Sequence, residues 1–397
     1  MAKSLFGYGV TTKALASSGE WEIFDDKFSE ISKDEFGNLL KPVSEFDPLK
    51  SNLEIPSPGF PKDHTLVKKA RNLISEYDYF KDTSPVKIWI SGTNGKTTTT
   101  QMTELLLRKF GGAMGGNVGT PLAKLDKTAK FWILETSSFT IHYTKFSAPK
   151  IYALLPITPD HLSWHGSMDE YVKTKLKPLS MMDQSSVAII PKIYANTPTK
   201  AKIFGYENDS DLAEICDVDI KDVKFKVPFL EDALMALCVS KFATGVANFE
   251  LLNSFEIDKN RVEEFHDKFS RLWVNDTKAT NLDACLKAVD RYKDKKIYLI
   301  LGGDDKGVDL TPLFENFKNL NLEIYAIGSS VDKIMTLSNK FGYKAYKSDI
   351  LENAVNEISK SLKLGEVALL SPACASLDQF SSYAQRGDKF KECVLKI

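Results

Sequence analysis

The residues best suited to phosphate chemistry stand behind one apolar run. IWISGTNGKTTTT (88–100) leaves a strand-like stretch through Gly92, Thr93, Asn94 and Gly95 and continues into Lys96, Thr97 and Thr98. Glycines 92 and 95 let backbone N–H groups turn inward with no Cβ in the way. A helix starting near Thr97 presents its positive end to an anion. Lys96 can then reach the β- and γ-phosphates, and Thr97 can offer a hydroxyl to Mg²⁺. The common phosphate loop, G-x-x-x-x-G-K-[ST], would need glycine at position 90, where this chain has Ile90. The stretch therefore reads as a shorter nucleotide loop of another kind, with a plain strand-to-helix turn as the alternative.

Other candidates are weaker on chemistry alone. Glu135 in ETSSF and His161 in DHLSWH each follow an apolar run and could give Mg²⁺ an oxygen and a nitrogen, although magnesium prefers oxygen. Lys175 in YVKTKLKP reads as a surface lysine, and GGNVGTP (115–121) as a turn. VNDTKATN (274–281) places Asp276, Lys278, Thr280 and Asn281 close together; the plainer reading is a helix start capped by Asp276 or Thr277. Lys306 in GGDDKG is a loop cation, and Cys374 a small buried residue after a strand. LFGYGVTT (5–12) is a strand and a G-x-G turn with Thr12 where a dinucleotide fingerprint wants glycine.

The elements that must position these groups follow from pattern. VKIWIS, FWILE, IYALLPI (151–157), KIYLIL (296–301), LEIYAIG (322–328) and VALL (367–370) are apolar runs of strand length. Between them lie helix-length segments, such as Thr97 to Phe110, closed by Gly111-Gly112, and a longer one from about Phe229. This alternation predicts parallel, doubly wound α/β sheets, whose ligands bind at the carboxyl ends of strands. Turn-rich joints at IPSPGFPKD (55–63), DTSPV (82–86) and NSFEIDKNR (253–261) divide the 397 residues into three unequal parts. Net charge is −1, which argues against a nucleic-acid or membrane-surface partner. The five cysteines, at 216, 238, 285, 374 and 393, show no C-x-x-C spacing; this suits a reducing compartment and disfavours a disulfide framework or zinc site. No signal peptide is expected, because Gly7, Gly9, Thr11 and Thr12 interrupt the N-terminal apolar stretch, and no run approaches the roughly 18 apolar residues of a membrane span.

GTNGKTT resembles the ATP loop of the Mur ligase family, which builds the peptide of bacterial cell-wall precursors; folylpolyglutamate synthetases share a similar loop. The resemblance implies a Rossmann-like N-terminal domain over 1–84 that binds a UDP-sugar, a central P-loop-type ATPase domain with a mostly parallel sheet over 85–256, and a Rossmann-like C-terminal domain over 257–397 that binds an amino acid. It implies ATP held by the loop 92–98 with Asp232, Arg261, Asp276 and Lys278. It implies Mg²⁺ on Thr97, Glu135, His161 and Lys175, the last carbamylated by CO₂. Lys96, His161, Lys175 and Arg261 would be catalytic, the arginine acting after closure.

GGDDKG and SPACASLDQFSSYAQRG (371–387) are similar to the elements of the D-glutamate-adding branch of that family. They imply Thr280, Lys306, Ser376, Leu377 and Tyr383 as amino-acid contacts, Asn117 as a substrate contact, and Gly9, Thr11 and Gly59 (within S-P-G) near the UDP-sugar. The substrates implied are UDP-N-acetylmuramoyl-L-alanine, D-glutamate and ATP, used by a cytoplasmic monomer. Two departures stand out: Ser163 replaces the family's second aspartate in D-H-L-D, and PFLED (228–232) replaces its H-N-x-x-N, leaving Asp232 in the last asparagine's place. Another Mur ligase, a folylpolyglutamate-type ligase and a non-ligase nucleotide-binding module are the alternative readings.

Overall fold

Residues such as Ile88-Trp89-Ile90 are apolar on both sides of the chain, and a sheet covered by helices on both faces is what buries them. The computed structural model describes residues 2–397. The chain divides into two compact units, Met1–Phe225 with Phe229–Phe255, and Lys226–Pro228 with Glu256–Ile397.

The first unit holds two sheets. In the first, β1 (Ala2–Phe6), β2 (Trp21–Phe24), β3 (Ser32–Lys33), β4 (Leu39–Lys41) and β5 (Ser51–Pro56) run in the order β3-β4-β2-β1-β5, parallel except for the β3–β4 pair. The second contains β6 (Val86–Ser91), β7 (Gly112–Gly116), β8 (Phe131–Glu135), β9 (Ile151–Leu154), β10 (Val187–Pro191) and β11 (Lys202–Tyr206). Its order is β11-β10-β9-β6-β8-β7, with every pair parallel. Because β6 lies between β8 and β9, the loops leaving those three strands emerge together at one rim. One apolar core joins the sheets, with Leu5, Trp21 and Ile55 from the first and Trp89, Trp132 and Tyr152 from the second. Each such side chain contributes roughly 1.5–3 kcal/mol on burial.

The second unit carries β12 (Glu263–His266), β13 (Leu272–Asn275), β14 (Ile297–Gly302), β15 (Leu322–Ile327), β16 (Ala345–Asp349) and β17 (Val367–Leu370) in the order β12-β13-β17-β14-β15-β16. All pairs are parallel except β12–β13. Trp273, Tyr298, Tyr325 and Phe390 fill its core.

The expected α/β class with mostly parallel sheets is therefore the observed one. Boundaries differ in three places. The helix after the phosphate loop spans Lys96–Leu107, and its last turn tightens into a 3₁₀ segment, Arg108–Phe110, before Gly111 closes it at φ +83°. GAMGG (112–116) is a strand, which its glycines hide from propensity; pairing with β8 imposes it. The run IYALLPI is strand only to Leu154, so residues 155–161 are left as a loop at the rim. Among the described residues no helix is long and apolar enough to cross a membrane.

Candidate active site

The phosphate loop is folded as its glycines require. Gly92 (φ +143°) and Gly95 (φ +79°) occupy backbone space that other residues avoid. A Cβ on Gly92 would lie 2.5 Å from Leu155 Cβ, and one on Gly95 would lie 2.1 Å from Asp232 Oδ1. Asp232, at the start of the helix Leu230–Thr244, thus stands directly beside the loop, and Thr99 Oγ1 donates to its Oδ1 (3.1 Å). Thr93 is held from behind. Its hydroxyl donates to Thr158 O (3.0 Å), accepts from Thr158 N (2.9 Å) and meets Tyr171 Oη at 3.2 Å. Lys96 donates to Gly92 O (3.1 Å) and Thr93 O (2.6 Å). Thr98 is turned inward and buried, and Asn94 stays partly exposed.

Glu135, at the end of β8, is the node of this rim. Thr97 Oγ1 donates to its Oε2 (2.7 Å) and Asn117 Nδ2 to its Oε1 (2.6 Å), while Asn117 N donates to Glu135 O (2.9 Å). One buried carboxylate therefore touches both the nucleotide loop and the loop after β7. Lys175 lies on the helix Met168–Met181 and is 1% exposed; its Nζ donates to Gly92 O (2.7 Å) and approaches Ser91 Oγ (3.4 Å). Burial first, and then the neighbouring Lys96 charge, push its pKa well below the ordinary lysine value. The surface position that chemistry alone suggested for Lys175 is thus wrong, because its four-carbon stem runs into the rim behind the loop.

The oxygen donors Glu135 and Thr97 suit Mg²⁺, a hard cation that keeps waters and phosphate oxygens as its remaining ligands. His161 adopts φ +53°, packs on Phe139 (4.7 Å between ring centroids) and places Nε2 3.4 Å from Asp160 Oδ2. Among the described residues no three His, Cys, Asp or Glu side chains form a metal cluster, so a cation here would depend on hydroxyl and phosphate oxygens as well.

At the carboxyl end of β1, Thr12 explains the broken fingerprint. Its hydroxyl donates to Gly7 O (2.7 Å) and accepts from Gly9 N (3.0 Å), tying the G-x-G turn shut from within. Ser57 N donates to Phe6 O (2.8 Å), which sets the S-P-G element beside this turn. Gly9 and Gly59 are exposed and Thr11 is half-buried there.

In the second unit Asp276 follows β13 and is buried. It accepts from Ser371 Oγ (2.7 Å) and Val262 N (3.2 Å). Burial lifts its pKa to about 7 against these hydrogen bonds and the opposing charge of Arg261. Asp276 and Thr277 do not cap the next helix. Asn281 does, accepting from Ala284 N (3.0 Å), because residues 276–280 form a turn first. That turn carries Thr280 and swings Lys278 Nζ over the Tyr383 ring at 3.9 Å, so a residue assigned to the nucleotide touches one assigned to the amino acid.

Asp304 and Ala375 pair their backbones (N–H to O distances of 3.0 and 2.8 Å), which brings the loops of Lys306 and Ser376 to one edge. Lys306 is exposed at φ +51°, Ser376 is buried, and Leu377 is 69% exposed. Cys374 is buried, with its thiol pushed up to about 12, as a packing residue should be. Sequence reading passed over Tyr171, Ser371 and Arg386 as individuals, although each sits inside a quoted motif.

Comparison with known proteins adds to this geometry. Residues 90–229 match the family described as Mur ligase middle domain. A UDP-N-acetylmuramoylalanine--D-glutamate ligase of Campylobacter jejuni (strain 81-176) is 60% identical over 100% of both chains. One from Helicobacter pylori (strain HPAG1) is 45% identical, again over 100% of both. Among solved structures, a MurF ligase from Thermotoga maritima in complex with ADP superposes with a TM-score of 0.60 at 16% identity, covering 87% of this chain and 88% of that one. A MurC from the same organism gives 0.56 at 16% identity, covering 99% of each. These two likenesses speak to the fold.

Proposed function

The chain belongs to the Mur ligase family, and on that premise we propose that it joins D-glutamate to UDP-N-acetylmuramoyl-L-alanine at the expense of ATP, in the synthesis of peptidoglycan precursors. The observation that carries the reading is Glu135, whose two oxygens accept from Thr97 of the phosphate loop and from Asn117 of the adjoining loop. With Thr97, a carboxylate in that position would supply oxygen ligands to a Mg²⁺.

The proposed chemistry follows from the groups. The γ-phosphoryl of ATP passes to the alanyl carboxylate, giving an acyl phosphate and ADP. Lys96 offsets the charge on the transferring group, and Arg261 is assigned to the nucleotide. The amine of D-glutamate attacks the acyl carbon, and phosphate leaves as the amide forms. Bound Mg²⁺, held by Thr97 and Glu135 with His161 near, would withdraw charge from the phosphates. Lys175, whose burial favours the neutral amine, can add CO₂ at Nζ with release of a proton to become a carbamate, an anion able to orient that ion.

In the first unit, Gly92 to Thr98 and Asp232 are assigned to ATP, Asn117 to the muramoyl substrate, and Gly9, Thr11 and Gly59 to the UDP end. In the second, Asp276 and Lys278 are assigned to the nucleotide, and Thr280, Lys306, Ser376, Leu377 and Tyr383 to D-glutamate. UDP-sugar binding is assigned to segment 1–84, ATP binding to 85–256 and D-glutamate binding to 257–397. The proposed working form is a cytoplasmic monomer, which sedimentation at micromolar concentration checks.

Phosphate release with UDP-N-acetylmuramoyl-L-alanine and ATP tests the reading. It should depend on D-glutamate, and equal activity with L-glutamate or a folate substrate would overturn the assignment.

A further inference from the structure

Arg386 is among the largest fully buried side chains, at 1% exposure, and among the described residues no carboxylate pairs with it. Buried arginines are ordinarily matched with an acid. This one, in the first turn of the helix Tyr383–Leu395, spends its guanidinium on uncharged acceptors. Nε donates to Thr277 Oγ1 (2.9 Å) and Nη2 to Thr277 O (3.1 Å) and Cys374 O (3.1 Å). Nη1 donates to Ala375 O (3.3 Å), with Gly302 O at 3.5 Å.

These acceptors come from three separate loops at the carboxyl end of one sheet. Thr277 lies between Asp276 and Lys278. Gly302 opens the loop of Lys306. Cys374 and Ala375 immediately precede Ser376. The backbone is fitted closely around the group: a Cβ on Gly303 would lie 2.2 Å from Ala375 O and 3.1 Å from Arg386 Nη1. Beside it, a Cβ on Gly387 would lie 2.0 Å from Asn260 Oδ1 and 2.7 Å from Thr277 Cγ2. A planar fork with five donors can hold three loops at fixed spacing, whereas an ammonium cannot span the same acceptors.

We infer that Arg386 is a positioning residue that fixes the nucleotide-side turn at 276–278 and the two amino-acid-side loops as one rigid edge, so that the second unit's nucleotide and amino-acid contacts are set together. It touches no reacting atom; it acts through Thr277, Cys374 and Ala375. The inference rests on the proposed ligase reading and adds a prediction that the reading does not make: one side chain remote from ligand governs two substrates and spares the third.

The test measures KM for D-glutamate, ATP and UDP-N-acetylmuramoyl-L-alanine, with kcat, in the full chain and in Arg386→Lys and Arg386→Met. Thermal melting reports the folded fraction of each. In Arg386→Lys the KM values for D-glutamate and for ATP should both rise by about tenfold or more, while that for the muramoyl substrate, assigned to the first unit, stays within about twofold. Arg386→Met should show the same pattern more strongly, and guanidinium at millimolar concentration should recover part of the loss. Three unchanged KM values beside a reduced folded fraction would mean a purely structural role and overturn the inference. So would a rise confined to one substrate. If the unaltered chain releases no D-glutamate-dependent phosphate, the ligase reading fails and this inference fails with it.

Discussion

Lys175 and Lys96 both donate to the carbonyl of Gly92. Lys175 is enclosed, and burial together with the neighbouring Lys96 charge pushes its pKa well down, towards the neutral amine. A neutral amine is a nucleophile for CO₂, whereas an ammonium is not. Replacing Lys175 by alanine should therefore lower turnover by about a hundredfold or more. A small carboxylic acid such as acetate should restore part of it by standing in for the carbamate. Steady-state phosphate release measures both effects, and undiminished activity in the variant removes the carbamate from the mechanism. At the same scale, Glu135 has hydrogen bonds from two loops, so its replacement should disturb nucleotide and substrate binding together.

At the scale of elements, the loop between β6 and the helix Lys96–Leu107 works through its backbone. Gly92→Ala forces a side chain into φ +143° and brings its Cβ within 2.5 Å of Leu155 Cβ and 3.1 Å of Leu155 Cα. Because Leu155 leaves β9 in the same sheet, the clash cannot relax by rotating a flexible tip. The left-handed strain alone is about 1–3 kcal/mol, and the overlap adds to it. Thermal melting should show the loss, with phosphate release falling further than the folded fraction. Gly59→Ala is the contrast. Nothing lies within 4 Å of the added Cβ, so stability should change by no more than about 0.5 kcal/mol. Equal melting losses in the two variants would contradict this account of the loop.

At the scale of the whole molecule, each unit carries a buried carboxyl whose pKa is raised. Glu76 in the first unit is pushed up to about 8 by burial, and its Oε2 has no hydrogen-bond partner. Asp276 in the second is at about 7. A raised carboxyl binds its proton more tightly folded than unfolded, so the folded state holds more protons between the two pKa values and stability falls as pH rises. The contribution is fully present below about pH 4 and is lost by about pH 8. Glu76→Gln should flatten the decline from about pH 5 to 8, by on the order of a few kcal/mol in total, and over pH 7 to 8, where Asp276 is already mostly ionised, it should remove most of the decline that the two carboxyls cause. Melting temperature followed against pH checks the sign; a midpoint that rises over that interval in the unaltered chain, with no difference in the glutamine variant, contradicts it.

The sequence by itself determined what is local. Apolar runs bounded by turn-formers placed the strands of the parallel sheets, and Gly92, Gly95 and Lys96 declared a phosphate loop, because strand burial and positive φ depend on residue type and near neighbours. It also supplied the motif that contains Arg386, but no role for that residue, since three loops separated by up to about a hundred positions supply its acceptors. Tertiary structure decided the rest. Gly112–Gly116 became a strand because β8 needed a partner. Asn281 replaced Asp276 as the helix cap because a turn came first. Lys175 became a buried amine on Gly92 O, a place that the family resemblance implied and the residue pattern alone did not. In each case the deciding energy was the cost of leaving a polar group or a sheet edge unpaired, and that cost is set by which distant segments meet.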